Sequence, residues 1–167
     1  YLFLFGIFLY LFIAADETAI KIKSGFRIVK VLQRYKLYAL PLLRISTGLS
    51  LILASLWNKL IDPRPALAFI AGPGQFLHSF IDMLGMTVPQ FIFAMGLCEL
   101  VLGALILFGF LTRLCGLKLI ALFLLGIVGL GTPEFIGHLP LIAISYAFLT
   151  LGPGEKLSFE KKPGFLS

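Results

Sequence analysis

The sequence predicts an all-α integral membrane protein: a four-helix bundle with an additional N-terminal helix that spans the bilayer or lies at its interface. Three observations predict it. The 167 residues are 59% hydrophobic and 13% charged, with a mean hydropathy of +1.02. The apolar residues are gathered into runs near 20 residues, and about 20 residues at 1.5 Å rise cross the hydrocarbon core. Seventeen Phe and so few polar residues leave too little polar surface to cover a soluble globule. The net charge of +6 would fit a nucleic-acid binder in a soluble chain. Here the charges flank the spans, so lipid is the expected partner and nucleic acid is not.

The first apolar run, Tyr1–Ala15, opens without a Met, and further sequence is expected upstream. A signal peptide fits its length and the small residues Ala14 and Ala15, but the run lacks a basic leader. A retained spanning or partly spanning helix is the preferred reading. The next stretch mixes Lys21, Lys23, Arg27, Lys30, Arg34 and Lys36 with Ile20, Phe26, Ile28, Val29 and Val31. That mixture suits a helix lying on an anionic leaflet, with a solvated linker as the alternative.

Four spans follow. The first runs about 38–60 and is stopped by Pro63 and Pro65. A long connection leads to the second, about 89–110. Inside that connection Phe76, Leu77, Phe80, Ile81 and Leu84 recur at helical spacing, predicting a short interfacial helix. The third span is about 114–132, ended by Pro133, and the fourth about 136–151, closed by Gly152-Pro153-Gly154. The expected organisation is therefore 1–37 as the N-terminal helix and basic segment, 38–159 as the membrane domain, and 160–167 as a tail.

Eleven of the fourteen basic residues (the six above, Arg113, Lys118, Lys156, Lys161 and Lys162) fall on one side of this arrangement. Only Lys59 and Arg64 fall on the other, and Arg44 lies within a span. The positive-inside rule makes the first side cytoplasmic, as in a prokaryotic-type inner membrane, with a cytoplasmic C-terminus.

Ionisable groups inside a membrane cost free energy and mark pathways, ligand sites or helix locks. At 100° per residue Arg44, Gly48, Leu51, Ser55, Asn58 and Lys59 share one face of the first span. Gly96, Glu99, Gly103 and Phe110 share a face of the second, and His138, Ser145 and Gly152 a face of the fourth. Such small or polar stripes mark a bundle interior in lipid. Arg44 is placed about 9 Å and Glu99 about 16 Å from the cytoplasmic ends of their helices, a gap of about 7 Å that two long side chains bridge. An Arg44–Glu99 ion pair is expected, as a helix lock or as a charged wall beside a ligand cavity for a quinone headgroup or a proton path. Lys59 is expected to snorkel to the outer interface beside Asn58. His138, near Glu134 and Pro140, is placed for proton exchange at the outer surface, since the unperturbed pKa of a histidine is near neutrality, or is an ordinary interfacial histidine.

Cys98 and Cys115 form no CxxC, and their expected depths differ by about 18 Å, too far for a disulfide. No nucleotide, zinc-protease or clustered His/Cys pattern is present, so no metal site and no catalytic residue is assigned.

LLRISTGLSLILASLWNKL, GLCELVLGALILFGFLTRLCGL and HLPLIAISYAFLTLGPGEKLS, in that order, resemble the DoxX-like membrane proteins. The resemblance covers about 38–159 and implies a four-helix membrane bundle. The family includes a subunit of thiosulfate:quinone oxidoreductase and relatives linked to thiol or respiratory redox systems. Arg44, Lys59, Glu99 and Arg113 fall on its recurring polar positions. The N-terminal apolar and basic segments exceed its four helices and imply docking in a larger assembly.

Two functions are therefore expected. One is a subunit of a quinone-linked respiratory or sulfur/thiol oxidoreductase, with a polar interior around Arg44 and Glu99 and no redox cofactor of its own. The other is a non-catalytic accessory subunit of a respiratory or photosynthetic membrane complex. A solute carrier fits less well, because no inverted repeat or matched pair of broken helices is evident.

Overall fold

The computed structural model describes residues 36–130 and 132–154, with Leu4, Gly6, Ile7 and Tyr10 of the N-terminal run. For Lys36 and residues 125–130 and 132–138 it describes the backbone alone. The basic stretch before Lys36 and the tail after Gly154 lie outside the described residues.

All regular structure among the described residues is helical. Helix α1, Lys36–Ser55, continues without a break into a π-helical turn, Leu56–Ile61. Pro63 and Pro65 explain the widening: neither carries an N–H for the carbonyls of Lys59 and Ile61, so the last α turn cannot close. The ladder lengthens instead to i→i+5, with the Asp62 N–H donating to the Trp57 carbonyl at 3.1 Å. The span Leu37–Ile61 is 25 residues long, enough to cross a bilayer.

Two short helices occupy the connection, α2 (Arg64–Ala71) and α3 (Leu77–Met83). The sequence predicts α3 but not α2, a two-turn helix wedged between Pro63 and the Gly72-Pro73-Gly74 break. Ile70, Ile81, Phe91 and Ile92 form a core that fastens both to the following span, with the Phe80 and Phe91 rings edge to face at 6.2 Å. Arg64 grips both carboxylate oxygens of Asp62, at 2.8 and 2.7 Å. Its guanidinium holds the exposed Asp62 carboxyl below the usual carboxylate range.

Helix α4, Val88–Phe108, is the second span long and apolar enough to cross. At its start the Gln90 Oε1 accepts from the Thr87 N–H at 2.9 Å, and at its end Gly109 turns left-handed at φ 68°, a conformation glycine adopts at no steric cost. Leu111, two residues on, is also held at positive φ, 49°. Helices α5 (Thr112–Leu130) and α6 (Thr132–Leu151) are the last of the described elements. Proline is tolerated in a first turn, so Pro133 opens α6 rather than ending α5, and α6 starts four residues before the expected 136.

The helices pack in two tight couples, α1 with α4 and α5 with α6, while α4 and α5 meet sparsely. Glycines make the closeness possible. A Cβ on Gly48 would sit 2.7 Å from the Gly103 carbonyl and the Leu107 nitrogen, and one on Gly116 2.7 Å from the Ser145 carbonyl. Where lipid removes the hydrophobic drive between helices, such approach supplies the dispersion contacts that hold them. Leu43, Ile106, Cys115, Leu119, Ile144 and Phe148 form a core to which α1, α4, α5 and α6 all contribute. Ile7 and Tyr10 pack against it, and Gly6 lies against Ser46 and Leu43 of α1.

Candidate functional site

The predicted Arg44–Glu99 pair does not form. Arg44 is buried, with no exposed surface, and donates from a guanidinium nitrogen to the Pro153 carbonyl at 3.0 Å. The register explains the difference. Gly48 faces Gly103; Arg44 precedes the first by four residues and Glu99 precedes the second by four. Between antiparallel helices this separates their levels by about 12 Å, more than the depth argument allowed. Arg44 therefore sits one turn nearer the Gly152-Pro153-Gly154 bend, where the Gly154 backbone also lies against Pro41.

Glu99 pairs with Lys59 instead. The Lys59 stem crosses Gly96, whose missing Cβ would be 3.0 Å from Lys59 Cβ. Helical side chains lean toward their own N-terminus, which here carries the ammonium inward to Glu99 near the middle of α4. The expected outward snorkel of Lys59 is thus replaced by a buried-side ion pair, with 24% and 18% of the two side chains exposed. One turn earlier the Ser55 hydroxyl donates to the Gly96 carbonyl at 2.5 Å, a second polar tie between the same helices.

Asn58, expected on this face, is exposed. An i→i+5 turn holds one residue more than an α turn, and Asn58 is the residue rotated out. The other small-polar positions are mostly satisfied within their own helices: Thr47 bonds Leu43 O at 2.8 Å and Ser145 bonds Leu141 O at 2.7 Å. Arg113 is exposed at the start of α5, its Nε 3.2 Å from where a Gly152 Cβ would stand. It belongs to the bend beneath Arg44, not to the Glu99 site. Phe110 is likewise exposed and lies beyond the end of α4. Glu134 and His138 lie on α6, but their side chains fall outside the described residues.

Glu99 also faces a hollow of about 300 Å³ between α4 and α5, lined by Met95, Cys98, Glu99, Leu102, Lys118, Ala121 and Leu122. A neighbouring hollow of about 290 Å³ shares Cys98, Leu102 and Lys118 with it and runs to Leu111 and Leu114. Together they form one outward-facing seam with Lys118 at its middle. Sequence reasoning counted Lys118 only as an orienting charge; its place a turn and a half inside an apolar helix was the signal that it lines something. Cys98 is exposed on this seam and Cys115 buried. No group of three His, Cys, Asp or Glu capable of holding a metal occurs among the described residues.

The arrangement is thus a carboxylate–ammonium pair near the middle of α4, opening on one side to a largely apolar hollow. Comparison with known proteins found no match among curated proteins and none among solved structures. The model of the DoxX family matches residues 39–139, which takes in Arg44, the π turn, Lys59, Glu99, Arg113 and Lys118. With well over half of the 167 residues matched, the chain belongs to the DoxX family.

Proposed function

We propose that this chain is the membrane subunit of a quinone-linked respiratory or sulfur/thiol oxidoreductase, working with partner subunits that carry the redox cofactor. The observation that carries the reading is the Lys59–Glu99 pair beside the hollow lined by Met95, Cys98, Leu102, Ala121 and Leu122. Small-molecule sites are mostly apolar with a few placed polar groups, and a quinone needs an apolar slot, a polar contact for its carbonyls and entry from lipid. A bound quinone would accept electrons from the partner; this chain would seat its ring and offer the headgroup the Glu99 carboxyl that lines the hollow, held in place by the Lys59 ammonium. The DoxX resemblance to a thiosulfate:quinone oxidoreductase subunit supports the same direction. In this reading α1, α4, α5 and α6 are a four-helix bundle joined by an N-terminal helix, and the Lys/Arg bias orients the C-terminus to the cytoplasm.

The second reading, an accessory subunit that only packs, draws on Arg44. Its guanidinium goes to the Pro153 carbonyl, a lock rather than a ligand contact. The experiment purifies the complex from native membranes, extracts bound quinone and measures quinone reduction in Lys59→Met and Glu99→Gln. The expected result is co-purified quinone and a loss of turnover of tenfold or more with the complex still assembled. Unchanged turnover in both assembled variants would establish the accessory role.

A further inference from the structure

We propose that the seam between α4 and α5 binds an anionic phospholipid, its phosphate held by Lys118 and one acyl chain lying along Leu105, Val101 and Leu97. Four observations lead there. The two helices meet sparsely, so a trough stays open between them. Its walls are apolar and face outward, with Leu97, Val101, Leu111 and Leu114 about half exposed. Lys118 is exposed on the same trough and has no ion pair among the described residues. The acid within reach, Glu99, is already taken by Lys59. Among the described residues, the seam therefore carries a positive charge with no acid paired to it, on an otherwise apolar surface.

That charge selects the occupant. Lys118 lies six residues after Thr112, about 9 Å along α5, and its side chain leans toward the helix N-terminus. The ammonium is carried back toward the start of α5, on the Leu111 and Leu114 side of the trough, the direction in which a lysine reaches for a headgroup. A zwitterionic lipid brings a phosphate already balanced by its own ammonium, and an apolar partner helix would bury Lys118 unpaired at a cost of several kcal/mol. A lipid with net negative charge fills the trough with its chain and answers the charge with its headgroup.

The trough adjoins the Glu99 hollow and shares Cys98, Leu102 and Lys118 with it, but the lipid proposal rests on the Lys118 charge and the quinone reading on Lys59 and Glu99. A quinone is neutral and yields no preference among lipid charges. To test it, the full-length chain is purified in a neutral detergent with an equimolar mixture of phosphatidylglycerol and phosphatidylcholine. Native mass spectrometry then counts the lipids retained. The expected preference for phosphatidylglycerol is about fivefold, the factor one basic residue near a membrane surface supplies. Lys118→Gln should abolish it, and Lys118→Arg should keep it. Arg113→Gln, a basic residue outside the trough, should leave it unchanged. Val101→Trp, which fills the trough without altering charge, should reduce retention of both lipids. Equal retention by the wild type, a preference surviving Lys118→Gln, or an equal loss in Arg113→Gln would overturn the proposal.

Discussion

Lys59 and Arg44 lie on the same helix and both are candidates to neutralise Glu99. The choice between them is made by side-chain direction and by register. The Lys59 stem leans back along α1 over Gly96 and so reaches inward, whereas Arg44 lies two turns from the Glu99 level and is engaged at the Pro153 carbonyl. Thermal stability in detergent should reflect this. Glu99→Gln should lower stability by about 2 kcal/mol, below the cost of breaking a fully buried pair because both side chains keep some exposure. Lys59→Met with Glu99→Leu should cost less than either single change. Arg44→Met should add to Glu99→Gln within about 0.5 kcal/mol, as independent sites do. A coupling larger than about 1 kcal/mol between Arg44 and Glu99 would contradict the register described here.

At the scale of the helices, two couples are fitted backbone to backbone across glycines. Gly48→Ala and Gly116→Ala should each lower stability by about 2 kcal/mol. Each new methyl would meet backbone atoms at 2.7 Å, and overpacking of this kind typically costs about 1–3 kcal/mol. Gly72→Ala is the control: its Cβ would meet one atom, the Ala68 carbonyl, at 3.3 Å, and the change should be smaller. Much of this layer was legible in the sequence. The burial of Arg44, Gly48, Ser55, Gly96, Gly103, Ser145 and Gly152 follows from 100° periodicity alone. Asn58 did not, because that arithmetic assumes an unbroken α ladder and two prolines beyond the helix end break it. Nor did the true partner of Glu99, since depth arithmetic ignores which way a lysine stem leans. Helix α2 was hidden by its length, two turns being too few for a period to show.

For the whole molecule, tightness is unevenly distributed. The couples α1–α4 and α5–α6 are closed, while the α4–α5 seam is open, apolar and charged at its middle. Both of the α4–α5 hollows therefore lie along one seam of the protein. The core of Leu43, Ile106, Cys115, Leu119, Ile144 and Phe148 joins the couples at the end where Arg44 meets Pro153, and the Glu99 hollow lies beyond it. This geometry keeps the Lys59–Glu99 pair reachable without loosening the bundle. What composition and hydropathy reveal at this scale is the membrane and the helices; which pair of helices stays apart is a matter of where the glycines meet, and that is visible only in three dimensions.

The π turn also records the length of the chain. A helix that accommodates one residue beyond its α count behaves like one carrying a single-codon insertion absorbed in place. Asn58, facing out, is the surplus. Deleting it should therefore be tolerated: Lys59 would follow Ser55 by three residues in an ordinary α turn and still face α4. Circular dichroism and detergent stability should stay close to wild type, whereas deleting Leu53, within the regular part of α1, should shift every later contact with α4 and abolish folding. A collapse of the Asn58 deletion equal to that of the Leu53 deletion would show that the wide turn is required for itself and not merely carried.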